Sequence, residues 1–276
     1  MALFEFKEAD LPIEVPFRMS VAGSTGKKLL DSEDDNDNRI YSFKHINISY
    51  MISFLLLGSG KTYFIMKLID NDYYMLNKEI HKILYFYNIL NDAIRLIGKR
   101  PRVTLIQGFS MEYIRNWPEG QRLWIIIDDH LVKKIYHEIA DLFAVQSNGK
   151  DISVTLLTQN LYTKSGNAGN FNREIMINRN YAVFMKCKAD DNQIKNTAKS
   201  IHLSYHTFMA AYYEATGYKM GEDYGKVSNI AETEEEKKKN AHKYLFFSST
   251  QYVKDELALR SQIFFREENT LVYWPK

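Results

Sequence analysis

Gly58-Ser59-Gly60-Lys61-Thr62 constrains this chain more than any other stretch, because it is the back half of a phosphate-cradling loop. A complete loop reads G-x-x-x-x-G-K-[ST]: backbone N–H groups wrap a β-phosphate, the Lys reaches the β/γ oxygens, and the hydroxyl holds Mg2+. Such a loop joins a buried strand to a helix, so the motif asks for an α/β arrangement. The position that needs the first Gly is Leu55, and there the pattern fails. A matching front half stands upstream at Gly23-Ser24-Thr25-Gly26. With residues 27–58 removed, PFRMSVA (residues 16–22) runs directly into GSTGSGKT, which satisfies every fixed position.

The segment 27–58 opens with a charged tract centred on Asp31-Ser32-Glu33-Asp34-Asp35-Asn36-Asp37-Asn38 and closes with the apolar run of residues 46–57. Acidic tracts of this kind are usually solvated. The segment reads either as a surface insertion or as a retained intron: Gly26-Lys27 can be encoded with an embedded GTAAG and Leu57-Gly58 with a TTAG. An insertion inside a loop that must hug a pyrophosphate is costly, since its glycines let the backbone approach closely. A further alternative is that residues 52–57 replace the lost strand and feed Gly58 directly. Sequencing of transcripts across the region separates an intron from an insertion, and only unspliced message would exclude the intron.

The alternation along the chain predicts a mostly parallel sheet covered by helices on both faces. Residues 17–22 read as a strand, and residues 61–70 continue with helical spacing at Tyr63, Ile65, Met66 and Ile69. Further strands are expected at 80–87, 103–107, 123–127, 152–159 and 181–185, with helices at 91–97, 131–143, 193–202 and 205–216. Residues 244–247 and 271–273 read as closing edge strands. A single domain over 1–276 is expected, with 217–243 as a low-complexity charged loop around Glu234-Glu235-Glu236-Lys237-Lys238-Lys239.

Composition narrows the environment. The net charge of +2 announces no global basic field, so contact with nucleic acid must come from local clusters. Arg95, Lys99, Arg100 and Arg102 form one such cluster, which reads equally as a solvated helix end. The lone Cys187 excludes an internal disulfide and suits a reducing compartment. With no apolar run of about 18 residues and an acidic start, a soluble intracellular protein without a membrane segment is expected.

Three clusters carry the chemistry. Lys61 and Thr62 would meet phosphate and metal. Asp128 and Asp129 end an apolar strand, where a first carboxylate supports Mg2+ and a second polarises the attacking water. Gln159, beside Thr158 and Asn160 at the end of the next strand, is placed to contact a γ-phosphate or the lytic water; Asn160 reads otherwise as a cap. Arg173 and Arg260 are candidates for sensing phosphate across a subunit boundary, although structural ion pairs explain most such arginines.

With these residues placed, the chain resembles the FtsK/HerA-type viral DNA-packaging ATPases, most closely those of Polinton/Maverick virus-like transposons. The segments that carry the likeness are PFRMSVAGSTG, GSGKTYFIMKLI, KILYFYN, LWIIIDDHL, IADLF, ISVTLLTQNLY, NREIMINRNYAVFMK and ALRSQIF. The resemblance implies a RecA-like P-loop NTPase core in a homo-oligomeric ring, a hexamer by expectation. Such a ring would use ATP and Mg2+ to drive double-stranded DNA into a capsid, with a capsid protein as a possible partner and the nucleus or a virion-assembly site as its location. On that reading Asp129, Gln159 and Lys61 are catalytic, and Thr62 and Asp128 are metal-associated. Nucleotide would be held by Gly23, Ser24, Thr25, Gly26, Gly58, Ser59, Gly60, Lys61 and Thr62. Two departures stand out: the broken loop, and Gln146-Ser147-Asn148-Gly149-Lys150 where the family tends to carry a His/Arg-rich turn. Lys150 keeps the charge and loses the forked guanidinium. The alternatives are a catalytically inactive relic and a P-loop nucleotide kinase.

Overall fold

A computed structural model describes residues 20–23, 26–29, 53–57, 60–72, 79–128, 136–143, 151–158, 175, 177–186, 191–201, 203–218, 242–249, 258–261, 263–264 and 271–273. The strands are β1 (Ser20–Gly23), β2 (Gly26–Leu29), β3 (Ser53–Leu57), β4 (Lys82–Tyr87), β5 (Val103–Gln107), β6 (Leu123–Asp128), β7 (Ile152–Thr158), β8 (Tyr181–Met185), β9 (Tyr244–Ser248), β10 (Leu259–Arg260) and β11 (Leu271–Tyr273). The helices are α1 (Lys61–Asp70), α2 (Asp92–Gly98), α3 (Glu112–Arg115), α4 (Tyr136–Asp141), α5 (Asp191–Ser200) and α6 (Tyr205–Thr216).

Among the described residues, eleven strands form one sheet in the order β2-β1-β11-β10-β9-β8-β3-β7-β6-β4-β5. From β8 to β5 every pairing is parallel. The apolar character of these strands explains that half. In β4, β6, β7 and β8 nearly every residue is buried, as strands covered on both faces require. The pleat then sorts side chains by period two. Ile83, Tyr85, Trp124, Ile126, Tyr181 and Val183 join Phe64, Ile65 and Leu68 of α1 and Ile94 and Ile97 of α2 in one core. Leu84, Phe86, Ile125, Ile127, Ala182 and Phe184 join α4, α5 and α6 in the other. The fold is therefore α/β and RecA-like, a largely parallel sheet with helices on both faces.

Local signals set the helix ends. Asn91 accepts a hydrogen bond from the Ile94 amide at 2.9 Å and so caps α2. Gly217, at φ 71°, ends α6 in the left-handed conformation that glycine adopts without a Cβ penalty.

Two expectations change, and a third is described only in part. The strand that enters α1 is Ser53–Leu57, not residues 17–22: β3 pairs in parallel with β7 on one side and β8 on the other. A run of Ser-Phe-Leu-Leu-Leu with no glycine sustains such a central position, whereas Ser20–Gly23 pairs only with β2 and the three-residue β11. Next, the closing strands are not edges. β9 lies between β8 and β10 with all its residues buried, and β11 lies between β10 and β1; the edges are β2 and β5. Their apolar sequence, YLFFS in β9, suits an interior place better than an edge. Finally, the helix expected over 131–143 is described only from Tyr136 to Asp141, because residues 129–135 lie outside the described residues. The charged loop of 217–243 falls almost wholly outside them as well.

Candidate functional site

The carboxyl ends of β3 and β7 flank a topological switch point. From β3 the chain crosses by α1 to β4 on the β7 side, and from β7 it crosses back to β8 on the far side of β3. Open parallel sheets bind ligands at such a point, outside the strand ends.

Gly60 sits there as the N-cap of α1, at φ 104°, a backbone conformation that an L side chain rarely adopts. A methyl group built on Gly60 would lie 3.2 Å from His242 Nδ1 and 3.4 Å from Met185 Sδ, so the position is sterically closed as well. Gly60 makes no side-chain cap hydrogen bond, and the first turn of α1 holds no acid. The positive end of the helix dipole at this terminus favours an anion. Lys61 is buried at 9% exposure, uncommon for a lysine, and Thr62 is half-buried beside it.

Asp128 closes β6. It is the register partner of Leu157, which is in turn the partner of Leu56, so the three stand level across β6, β7 and β3. Two strand spacings place Asp128 about 10 Å from the strand that feeds Gly60. The pleat puts it on the face of Trp124 and Ile126, which is the α1 face. Its carboxylate accepts a hydrogen bond from the Tyr85 hydroxyl at 3.0 Å. Tyr85 is fully buried on β4, and burial followed by the Asp128 charge pushes its pKa up, so the phenol remains a donor. Replacement of Tyr85 by Phe leaves the ring in place and removes that bond. The expected cost is about 1–2 kcal/mol of stability, read as a lower urea midpoint at unchanged slope.

The other residues singled out in the sequence divide cleanly. Gly23 and Gly26 are partners in the β1–β2 hairpin. Five strand steps separate β1 from β3, about 24 Å along the sheet. Gly23 and Gly26 therefore stand far along the sheet from the strand that leads to Gly60 and Lys61. Ser24, Thr25, Gly58, Ser59, Asp129, His130, Lys150, Gln159, Arg173 and Cys187 lie outside the described residues. Arg260 is 7% exposed under the Phe246 ring, with burial pushing its pKa down to about 10, so it is a buried cation and not a surface one. Arg100 holds Asp70 through two hydrogen bonds, of 2.5 and 2.6 Å. Arg102 binds Asp72 and the Ile80 carbonyl. Both precede β5, at the amino edge of the sheet, opposite the Gly60 edge. Their positions serve the fold and not a groove beside the loop.

Sequence reasoning passed over Tyr85 and His242. Each meets its partner across a long sequence separation, Tyr85 to Asp128 and His242 to Gly60, and no local spacing announces such a pair.

What fold and site define is an α/β chain whose largely parallel sheet carries Gly60, Lys61 and Thr62 at its carboxyl edge. No family model matches the sequence, and no curated protein matches it. Among solved structures, the DNA-packaging ATPase B204 of Sulfolobus turreted icosahedral virus is similar over 71% of this chain and 92% of its own, at 12% identity and a TM-score of 0.41. The genome-packaging NTPase B204 of Sulfolobus turreted icosahedral virus 2, in complex with AMPPCP, is similar over 72% and 92%, at 10% identity and 0.38. ATPases 2 and 3 of Thermomonospora curvata EccC, in complex with a signal sequence peptide, are similar over 95% of this chain and 43% of theirs, at 12% identity and 0.42.

Proposed function

We propose that the chain is a nucleotide-hydrolysing P-loop protein whose ATP, with Mg2+, lies at the carboxyl edge of β3. One observation carries this: Gly60, Lys61 and Thr62 open α1 just beyond the central parallel strand β3, and Asp128 stands level with that strand, one strand intervening, on the α1 face. Lys61 neutralises phosphate, Thr62 and Asp128 hold Mg2+ directly or through water, Asp129 polarises the lytic water, and Gln159 reports on the γ-phosphate. Asp128 and Thr62 carry oxygen donors, the ligand type Mg2+ takes.

The finer reading is a motor that packages double-stranded DNA into a virus-like capsid from a homo-oligomeric ring. The ordered sequence segments support it, and its DNA contacts are then to phosphate, sequence-independent and salt-sensitive. The test is ATP hydrolysis by the full chain, and by the form lacking residues 27–58, with and without duplex DNA. DNA-stimulated turnover supports the motor; turnover that needs a small phosphoryl acceptor and ignores DNA supports a kinase.

A specific observation favours a second reading. Only residues 58–60 separate the end of β3 from the start of α1, so the loop offers few amides to a phosphate. A catalytically inactive relic of such a gene has this property, and hydrolysis in neither form supports it.

A further inference from the structure

We infer that His242 and Tyr63 form the platform on which the base of the bound nucleotide stacks, an inference that rests on the nucleotide reading above. Their rings stack with centroids 4.2 Å apart and planes 24° from parallel. Tyr63 lies three residues beyond Gly60, on the first turn of α1, about 5 Å along the helix axis from the phosphate loop. His242 reaches the same place from the start of β9, with its Nδ1 against Gly60. The pair thus stands beside the loop, on the first turn of the helix that leaves it.

Two features separate the pair from ordinary packing. Both rings are open to solvent although stacked, Tyr63 at 48% exposure, whereas the neighbouring aromatics Phe64 and Tyr244 are buried. His242 also adopts φ 70°, one of two non-glycine residues among those described with a positive φ. A left-handed non-glycine residue is a strained one, and such strain gathers at ligand sites. A flat π surface of this kind takes a purine or pyrimidine with little preference among bases, because every base has a π face.

The experiment is a ligand-observed NMR titration, which reads millimolar dissociation constants, of the full chain with Mg·ATP and with Mg·tripolyphosphate. His242→Gly suits the left-handed backbone, so it preserves the fold while removing the ring. It is expected to weaken ATP about ten-fold and to leave tripolyphosphate unchanged. Tyr63→Ala should do the same, and Tyr63→Phe, which keeps the ring, should bind ATP like the parent. Lys61→Ala should weaken both ligands. Unchanged ATP affinity in His242→Gly and Tyr63→Ala overturns the platform while the nucleotide site stands. Equal loss of ATP and tripolyphosphate in those variants also overturns it, because the rings would then be shaping the phosphate loop. Binding of neither ligand by the parent overturns the nucleotide reading and the platform with it.

Discussion

Deletion of residues 27–58 is expected to raise the affinity for Mg·ATP roughly a hundredfold over the full chain. In the full chain β3 runs to Leu57 and α1 begins at Lys61, and the glycines at 23 and 26 belong to a hairpin five strands away. Phosphate can then meet only the amides of the short loop and the first turn of α1. The deleted chain joins Gly23-Ser24-Thr25-Gly26 to Ser59-Gly60-Lys61-Thr62 and restores the full eight-residue loop. Each amide gained against a charged oxygen is worth about 1.5–3 kcal/mol, so even a single extra one gives about ten-fold or more and two reach the predicted range. The deletion also removes β3, so residues 17–22 must take its place between β7 and β8. By the pleat Phe17, Met19 and Val21 can fill one face of that slot, with Arg18, Ser20 and Ala22 on the other. Calorimetric titration of both forms decides the matter. Equal affinity would mean that the short loop already holds phosphate as well as the long one, and that 27–58 is a tolerated insertion.

In the deleted form, Lys61→Ala is expected to abolish measurable hydrolysis, and Asp129→Asn to bind ATP and fail to turn it over. The two losses have different causes. Lys61 would supply a point charge to the β/γ oxygens, in a site where the N-terminus of α1 carries no acid to offset it. Its removal weakens binding and transition state together. Asp129 would act only as water attacks, so Asn keeps the shape and loses the base, a change of about 10^2–10^4 in rate with affinity retained. Single-turnover measurements with labelled ATP separate the two. Normal turnover in Asp129→Asn would reassign Asp129 as a structural acid and move attention to Asp128 and its Tyr85 partner.

Much of the architecture was legible because the parallel strands are short apolar runs bounded by polar turns. VTLIQ and YAVFM became β5 and β8 at the expected residues, and LWIII gained only Asp128. Here periodicity and burial agree, so local pattern suffices. The β1–β2 hairpin, the four-residue α3 and the two-residue β10 were not expected. Elements so short bury too little of a period to show in sequence. The place of β9 was misread for another reason: an apolar strand near the end of a chain looks like a closing edge until its partners are known.

The site divides in the same way. The amino-acid sequence by itself determined the chemistry available here: a glycine-rich loop before a lysine and a hydroxyl, and paired acids at a strand end, because those functions are written in contiguous residues. Tertiary structure alone decided which strand feeds the loop, since residues 17–22 and 53–57 are both apolar runs ahead of glycines and only pairing with β7 and β8 distinguishes them. It alone brought Tyr85 to Asp128 and His242 to Gly60, and took Arg260 into the interior. These contacts join residues far apart in the chain, and their energy exists only once the sheet has set the register that brings them together.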